Sequence, residues 1–146
     1  MVNIRDILKV KGNTVHSVTP DTTVYESLEK MSAKNVGSML VMENESLQGI
    51  FTERDYMKKI VLLGRSSKST PAKDIMTTNP ICVSPTDSAE NALAIMSERH
   101  CRHLPVIDEG KIIGVVSIGD LVKKKISSME SEIKYLNDYI TSAGYQ

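Results

Sequence analysis

The sequence contains no tryptophan and a single phenylalanine, Phe51, so its core must be built from aliphatic residues and from eight methionines, whose flexible side chains fill irregular gaps. It has no excess of either charge: 18 basic residues stand against 18 acidic ones in 146 residues. That balance excludes a protein whose main business is gripping nucleic acid, because neutralising phosphates needs a basic surplus. It equally excludes a polybasic membrane-surface protein. Only two cysteines are present, Cys82 and Cys101. Two are too few for a disulfide scaffold or a four-ligand zinc site. Both read as buried free thiols, Cys82 inside a strand and Cys101 just before one.

Long apolar runs are missing as well. The N-terminal stretch is interrupted by Arg5, Asp6, Lys9 and Lys11, so no signal peptide and no membrane span is expected. These readings describe a reduced, soluble, cytoplasmic protein. Catalytic signatures are also lacking. His16, His100 and His103 show no metal-ligand spacing with a cysteine or carboxylate. There is no Gly-x-Ser-x-Gly, no Walker loop and no Gly-x-Gly-x-x-Gly. No enzyme activity, catalytic residue or metal is therefore expected. What remains is an ordinary globular composition, 40% hydrophobic and 25% charged, long enough for one domain or two small ones.

An internal repeat organises the chain. At an offset of 65 residues, Val18 to Val61 match Val83 to Ile126 without a gap and with ten identities. Val18 and Pro20 return as Val83 and Pro85, Leu28 and Met31 as Leu93 and Met96, and Val41, Gly49 and Asp55 as Val106, Gly114 and Asp120. Upstream, Arg5-Asp6-Ile7-Leu8 echoes Lys73-Asp74-Ile75-Met76 with a three-residue shift. Two copies are too few for a solenoid and imply a pseudo-symmetric pair with a cleft along its twofold axis.

Each copy reads as strand, helix, strand, strand, helix. In the first, Thr23-x-x-Glu26 reads as a capping box. Val24, Leu28 and Met31 form the apolar stripe of a helix that stops at Gly37. Strands are expected at 38–42 and 47–52, then a helix from Glu53 to about Leu63 ending at Gly64. The second copy repeats this with a helix over about 88–99, strands at 104–107 and 112–117, and a helix from Ile118 onward. A polar, basic connection joins them.

Both hairpins end in Gly-x-x-[Thr/Ser]-x-x-Asp, as Gly49…Thr52…Asp55 and Gly114…Ser117…Asp120. With the tandem βαββα pattern and Arg102-His103-Leu104-Pro105-Val106, the chain resembles a pair of cystathionine β-synthase (CBS) domains of the stand-alone bacterial and plant-organellar kind. The implied class is α+β, with two pseudo-twofold-related βαββα units. The resulting division is 1–64 for the first motif with its lead-in, 65–72 for a linker, 73–126 for the second motif and 127–146 for a C-terminal helix.

Thr52 with Asp55, and Ser117 with Asp120, have two readings. A hydroxyl at the cap and an acid three residues later satisfy a helix start and its dipole. The same geometry lets a carboxylate accept hydrogen bonds from the two hydroxyls of a ribose beside a helix end that favours anions. Asp rather than the Glu or Gln usual in capping boxes tilts toward ribose. The resemblance implies ribose binding by Asp55 and Asp120, and phosphate binding by Thr52, Ser117, Arg102 and His103. The first copy has Gly37 and Ser38 where the second has Arg102 and His103, so its phosphate donors would come from Arg54, Arg65 and Lys68, or those residues are a solvated basic loop. The two sites are therefore unequal. The resemblance puts an adenine slot between first strand and hairpin. The first copy would line it with His16, Val18, Val36, Met39 and Ile50. The second would use Ile81, Val83, Cys101, Leu104, Pro105 and Val115. Cys101 aligns with Val36, which marks its side chain as packing.

The function this implies is sensing of AMP, ADP or ATP, or of NAD(H), as a regulatory ligand rather than a catalytic cofactor. The alternative is a ligand-free interaction module that modulates a partner enzyme. Past the repeat, Val122, Ile126, Met129, Ile133, Leu136 and Ile140 are spaced 4, 3, 4, 3, 4, a heptad seam with Glu130, Glu132 and Lys134 off it. Either this helix packs back on its own domain, or it is a homodimer contact. The absence of a counterpart after the first copy favours the contact.

Overall fold

The computed structural model describes residues 2–142. Helix α1 (Ile4–Lys11) begins where Asn3 and Asp6 exchange backbone-to-side-chain hydrogen bonds of 3.0 and 3.1 Å. It buries Ile4, Ile7 and Leu8. There follow β1 (Ser17–Val18), α2 (Val24–Lys34), β2 (Ser38–Glu43), β3 (Ser46–Thr52), the single turn α3 (Glu53–Tyr56) and a π-helical stretch, Met57–Val61. The second half has a 3₁₀ turn (Ala72–Asp74), β4 (Thr77–Thr78), α4 (Ala89–Arg99), β5 (His103–Asp108), β6 (Lys111–Ser117) and the long α5 (Ile118–Ser142). The α+β class and both hairpins are as the sequence implied.

Two compact units form, and each borrows the other copy's lead-in. One comprises Thr14–Cys82 with Glu109–Ile113. Its sheet runs β1-β2-β3-β4, with β1 parallel to β2 and the other pairs antiparallel. Met39, Val41 and Phe51 face α2 from one side of it and pack with Val18, Val24, Met31 and Ile75. Strand β4 and Ile75 belong to the lead-in of the second copy. The segment 65–72 is bound rather than loose: Val24 N–H donates to the Thr70 carbonyl, Tyr25 N–H to Ser67 and Ala72 N–H to Thr22. The orphan donors of the α2 start are satisfied there.

The other unit holds the described residues up to Asn13, then Val83–Asp108, then those from Gly114 on. Here α1 is stitched to the second copy. Ile4 N–H donates to Asp87, Arg5 N–H to Pro85, and Ala89 N–H to Val2. The two borrowed lead-ins do the same job. A β-carbon on Gly49 would lie 2.7 Å from the Thr77 carbonyl oxygen and 2.8 Å from Met76 Sδ. On Gly114 it would lie 2.8 Å from Leu8 Cδ2. Leu8 and Met76 are the matched residues of the shifted upstream echo, so the motif glycine of each copy makes room for a lead-in.

Several local readings need correction. Helix α2 ends not at Gly37 but at Asn35, which takes the left-handed conformation at φ 54°, and His100 caps α4 in the same way at φ 54°. The expected helix from Glu53 to Leu63 keeps α geometry for one turn only, although Gly64 does terminate the segment with φ 66°. Cys82 lies outside any strand, because the first strand of the second copy shrinks to one bridge between Val83 and Val106. The seam of α5 does not pack back on its own unit: Ile126, Met129, Ile133 and Leu136 are all more than half exposed. Of the segment 127–146, residues 143–146 lie outside the described residues.

Candidate functional site

The two motif copies build the same helix start with different surroundings. In the first, the Thr52 hydroxyl accepts from the Asp55 N–H at 3.2 Å, and Asp55 Oδ2 accepts from the Thr52 N–H at 3.0 Å and the Thr52 hydroxyl at 3.1 Å. The other carboxylate oxygen accepts from the Thr77 hydroxyl at 3.2 Å and pairs with Lys59 Nζ at 3.1 Å. Lys59 Nζ also donates to the Ile75 carbonyl. The Asp55 side chain is only 10% exposed. Every oxygen of this carboxylate is engaged, and its partners tie α3 to the borrowed lead-in.

In the second copy, Asp120 N–H donates to the Ser117 hydroxyl at 3.1 Å, and Ser117 N–H donates to Asp120 Oδ2 at 2.8 Å. Lys11, at the end of α1, puts Nζ 2.6 Å from that same Oδ2 and 2.6 Å from the Val115 carbonyl. The Asp120 side chain is 27% exposed, more open than Asp55. Burial opposes its charge, but the hydrogen bond from Lys11, the Ser117 N–H and the Lys11 charge outweigh this and hold the carboxyl below the ordinary aspartate value. The Ile118 N–H donates to the Arg102 carbonyl at 2.9 Å. That bond holds the backbone of exposed Arg102 at the start of the 25-residue α5. Glu53 N–H donates to Gly37 in the matching place of the first copy. The second copy thus gathers a carboxylate and a hydroxyl at one helix end and tethers the backbone of an exposed arginine there, where the first copy tethers glycine.

The other candidates fall into three groups. Arg65 pairs with Asp74 at 3.3 Å and Lys68 lies 4.9 Å from the centre of the Tyr25 ring, so each already has a partner within its own unit. Val18, Met39, Val83, Leu104 and Pro105 are core. Ile50 is buried too, paired with Leu40 across the hairpin. His16, Val36, Ile81, Cys101 and Val115 keep some surface. Ile81 falls in the unit built on the first copy rather than beside Val83. Arg54, His100 and His103 each have an interaction within the protein.

Both cysteines are free and partly buried, which pushes their thiols above the ordinary value and makes them weak nucleophiles. Among the described residues, no cluster of histidine, cysteine and carboxylates could hold a metal, and no helix is long and apolar enough to cross a membrane.

Sequence reasoning missed Lys59, Thr77 and Lys11. Lys59 was within reach, being four residues after Asp55 on a helix. Lys11 was not, because 109 residues separate it from Asp120. The preference of Asp for ribose also carries less weight than it did, since Asn3-Asp6, Thr52-Asp55 and Ser117-Asp120 all close as capping boxes with Asp.

Comparison with known proteins agrees with this architecture. The CBS domain family model matches residues 4–62 and 72–127. "CBS domain-containing protein CBSX3, mitochondrial" of Arabidopsis thaliana is 41% identical over 97% of this chain and 73% of its own length. The crystal structure of the CBS domain NE2398 superposes with a TM-score of 0.82 at 44% identity, covering 85% of this chain and 97% of that one. CBSX2, solved in complex with AMP, superposes with a TM-score of 0.71 at 26% identity over 88% of this chain and 99% of that one.

Proposed function

This chain belongs to the CBS domain family, and from that premise we propose that it is a regulatory adenine-nucleotide sensor whose working site is the Ser117–Asp120 helix start. The observation that carries the reading is the Ser117–Asp120 pair at the N-terminus of α5, with the backbone of exposed Arg102 hydrogen-bonded to its first residue. A ribose would take its hydroxyl contacts from the Asp120 carboxylate. The phosphates would meet the helix end, the Ser117 hydroxyl and Arg102, where the helix dipole and the guanidinium charge both favour an anion. AMP is the first ligand to test, because the related CBSX2 binds it. ADP, ATP and NAD(H) share the adenosine portion that Asp120 would read.

No bond is broken in this mechanism. Lys11 holds the carboxylate oxygen that a ribose needs, so nucleotide binding displaces Lys11 and releases the end of α1. The energy available to shift the protein's conformation is limited to the difference in affinity between the two states. The buried, fully engaged Asp55 favours a structural role in the first copy, so one nucleotide per chain is the expected stoichiometry.

The test is thermal unfolding with AMP, ADP, ATP and NAD(H). A ligand at about 100 times its Kd stabilises by roughly 2.7 kcal/mol, a readily measured rise in Tm. Asp120→Ala removes one charged hydrogen-bonding partner and costs about 1.5–3 kcal/mol of binding, ten-fold or more in Kd. Asp55→Ala lowers the Tm of the free protein and leaves the nucleotide-dependent rise intact. A Tm indifferent to all four ligands would instead establish a ligand-free interaction module. The engagement of Asp55 by Lys59 and Thr77, and of Asp120 by Lys11, is what favours that second reading.

A further inference from the structure

Helix α5 buries Leu121 in its own unit at its first turn, but beyond that turn its apolar face is not the one turned inward. Ser127, Ser128 and Ser131 line a groove beside Val2, Asp6, Lys9 and Val10 of the α1 region. The apolar seam points elsewhere, with Val122 42%, Ile126 51%, Met129 52%, Ile133 57%, Leu136 54% and Ile140 48% exposed. A helix that stabilised only its own unit would do the reverse. We propose that residues 122–140 of α5 pair with the same residues of a second copy of this chain, as a parallel two-stranded coiled coil.

Three features of the seam select that occupant. The a positions are Ile126, Ile133 and Ile140, all β-branched, and the d positions are Val122, Met129 and Leu136. Isoleucine at a with leucine or methionine at d suits two parallel strands, and only the first d position, Val122, departs from that pattern. The flanking charges agree: in a parallel pair Lys125 at g, which lies 3.6 Å from Glu90 in the single chain, faces Glu130 at e of the second helix, twice by symmetry. The antiparallel register that covers all six seam residues sets Glu130 against Glu130 and Glu132 against Glu132, and offers no attractive flanking pair in return. Ser127, Ser128 and Ser131 occupy the b, c and f positions, so the groove against α1 persists when the seam closes.

This association is independent of nucleotide binding and is tested on the full chain without ligand. Sedimentation equilibrium should show a dimer whose dissociation constant rises about 100-fold or more in Ile133→Asp, because a carboxylate is then desolvated in the seam. Leu136→Asp should repeat the effect one layer away, and Ile133→Leu should not. Far-UV circular dichroism should show all three variants folded, since these positions are exposed in the single chain. Orientation is read by mild oxidation of Met129→Cys and Leu136→Cys against the unsubstituted chain. Parallel pairing cross-links both, whereas an antiparallel helix pair brings at most one of the two positions beside its own copy. A monomeric parent chain, a dimer indifferent to both aspartates, or cross-linking of only one cysteine variant would each overturn the proposal.

Discussion

Two aspartates in matching motif positions have ended in different surroundings, and the difference is made by residues outside the motif. Asp55 and Asp120 both close a capping box, but Asp55 is locked by Lys59 and Thr77 while Asp120 is held on one oxygen by Lys11. The Lys11 pair has a consequence for stability. Asp120 titrates below its ordinary value in the folded chain, so its ionised form stabilises the fold. That contribution is complete above the unfolded-state pKa of about 4 and is lost as the pH falls through the lower folded value. Lys11→Met should therefore weaken the protein at neutral pH and flatten the acid limb of its stability curve, as measured by urea unfolding between acid and neutral pH. Because both partners are partly exposed, the effect should be small and should shrink further with added salt. A curve of unchanged shape would mean that Lys11 does not depress Asp120 in solution. The sequence showed the Ser117–Asp120 cap, because a helix start is set by residues three apart, and the repeat placed Arg102 opposite Gly37. It could not show which lysine would reach the carboxylate.

Helix starts were the most legible elements, and helix ends the least. Thr23 and Thr52 cap where the residue pattern placed them, although Glu26 does not return the bond to Thr23, and Ser88, read as the first helical residue, is the cap of α4; a short hydroxyl side chain meeting the third N–H is a purely local event. The stop at Gly37 was misread because asparagine also tolerates the left-handed region, through its compact polar side chain. Asn35 and His100 stand at the same repeat position and adopt the same φ, so the position is fixed by the fold in both copies. Asn35→Gly should be neutral or stabilising, while Asn35→Ala should cost about 1 kcal/mol, because alanine has no means of easing the left-handed strain. Chemical denaturation of the two variants checks this. Equal stabilities would show that the strain is relieved by a shift of the cap. The change from α to π geometry after Tyr56 left no mark in the pattern. The apolar spacing there suits either helix, and the ion pair and hydrogen bond of Lys59 lie outside any local window.

At the scale of the molecule, the repeat seen in the sequence and the compact units of the structure have different boundaries. A copy cut at residue 64 keeps α1, whose buried face is covered by the second copy, and loses β4, Ala72, Ile75 and Met76, which complete the first copy's sheet and core. The shifted echo of Arg5-Asp6-Ile7-Leu8 in Lys73-Asp74-Ile75-Met76 was visible, but sequence alone does not say which copy a lead-in serves, because covering its own hairpin or the other's satisfies the same apolar pattern. The structure answers through Gly49 and Gly114, each of which has lost its β-carbon to the other copy's lead-in. This distinguishes two fragments of similar length. Residues 14–82 retain the four-stranded sheet, the Thr70 and Ser67 carbonyls that cap α2, and the Asp55–Lys59–Thr77 cluster. Residues 1–64 retain none of the last two groups whole and expose Ile4, Ile7 and Leu8, whose burial is worth roughly 1.5–3 kcal/mol each. The 14–82 fragment should melt cooperatively by far-UV circular dichroism, and the 1–64 fragment should show a shallow, non-cooperative loss of signal. If 1–64 were the more cooperative of the two, the copies would be folding as the sequence divides them, and the exchange of lead-ins would contribute little to stability.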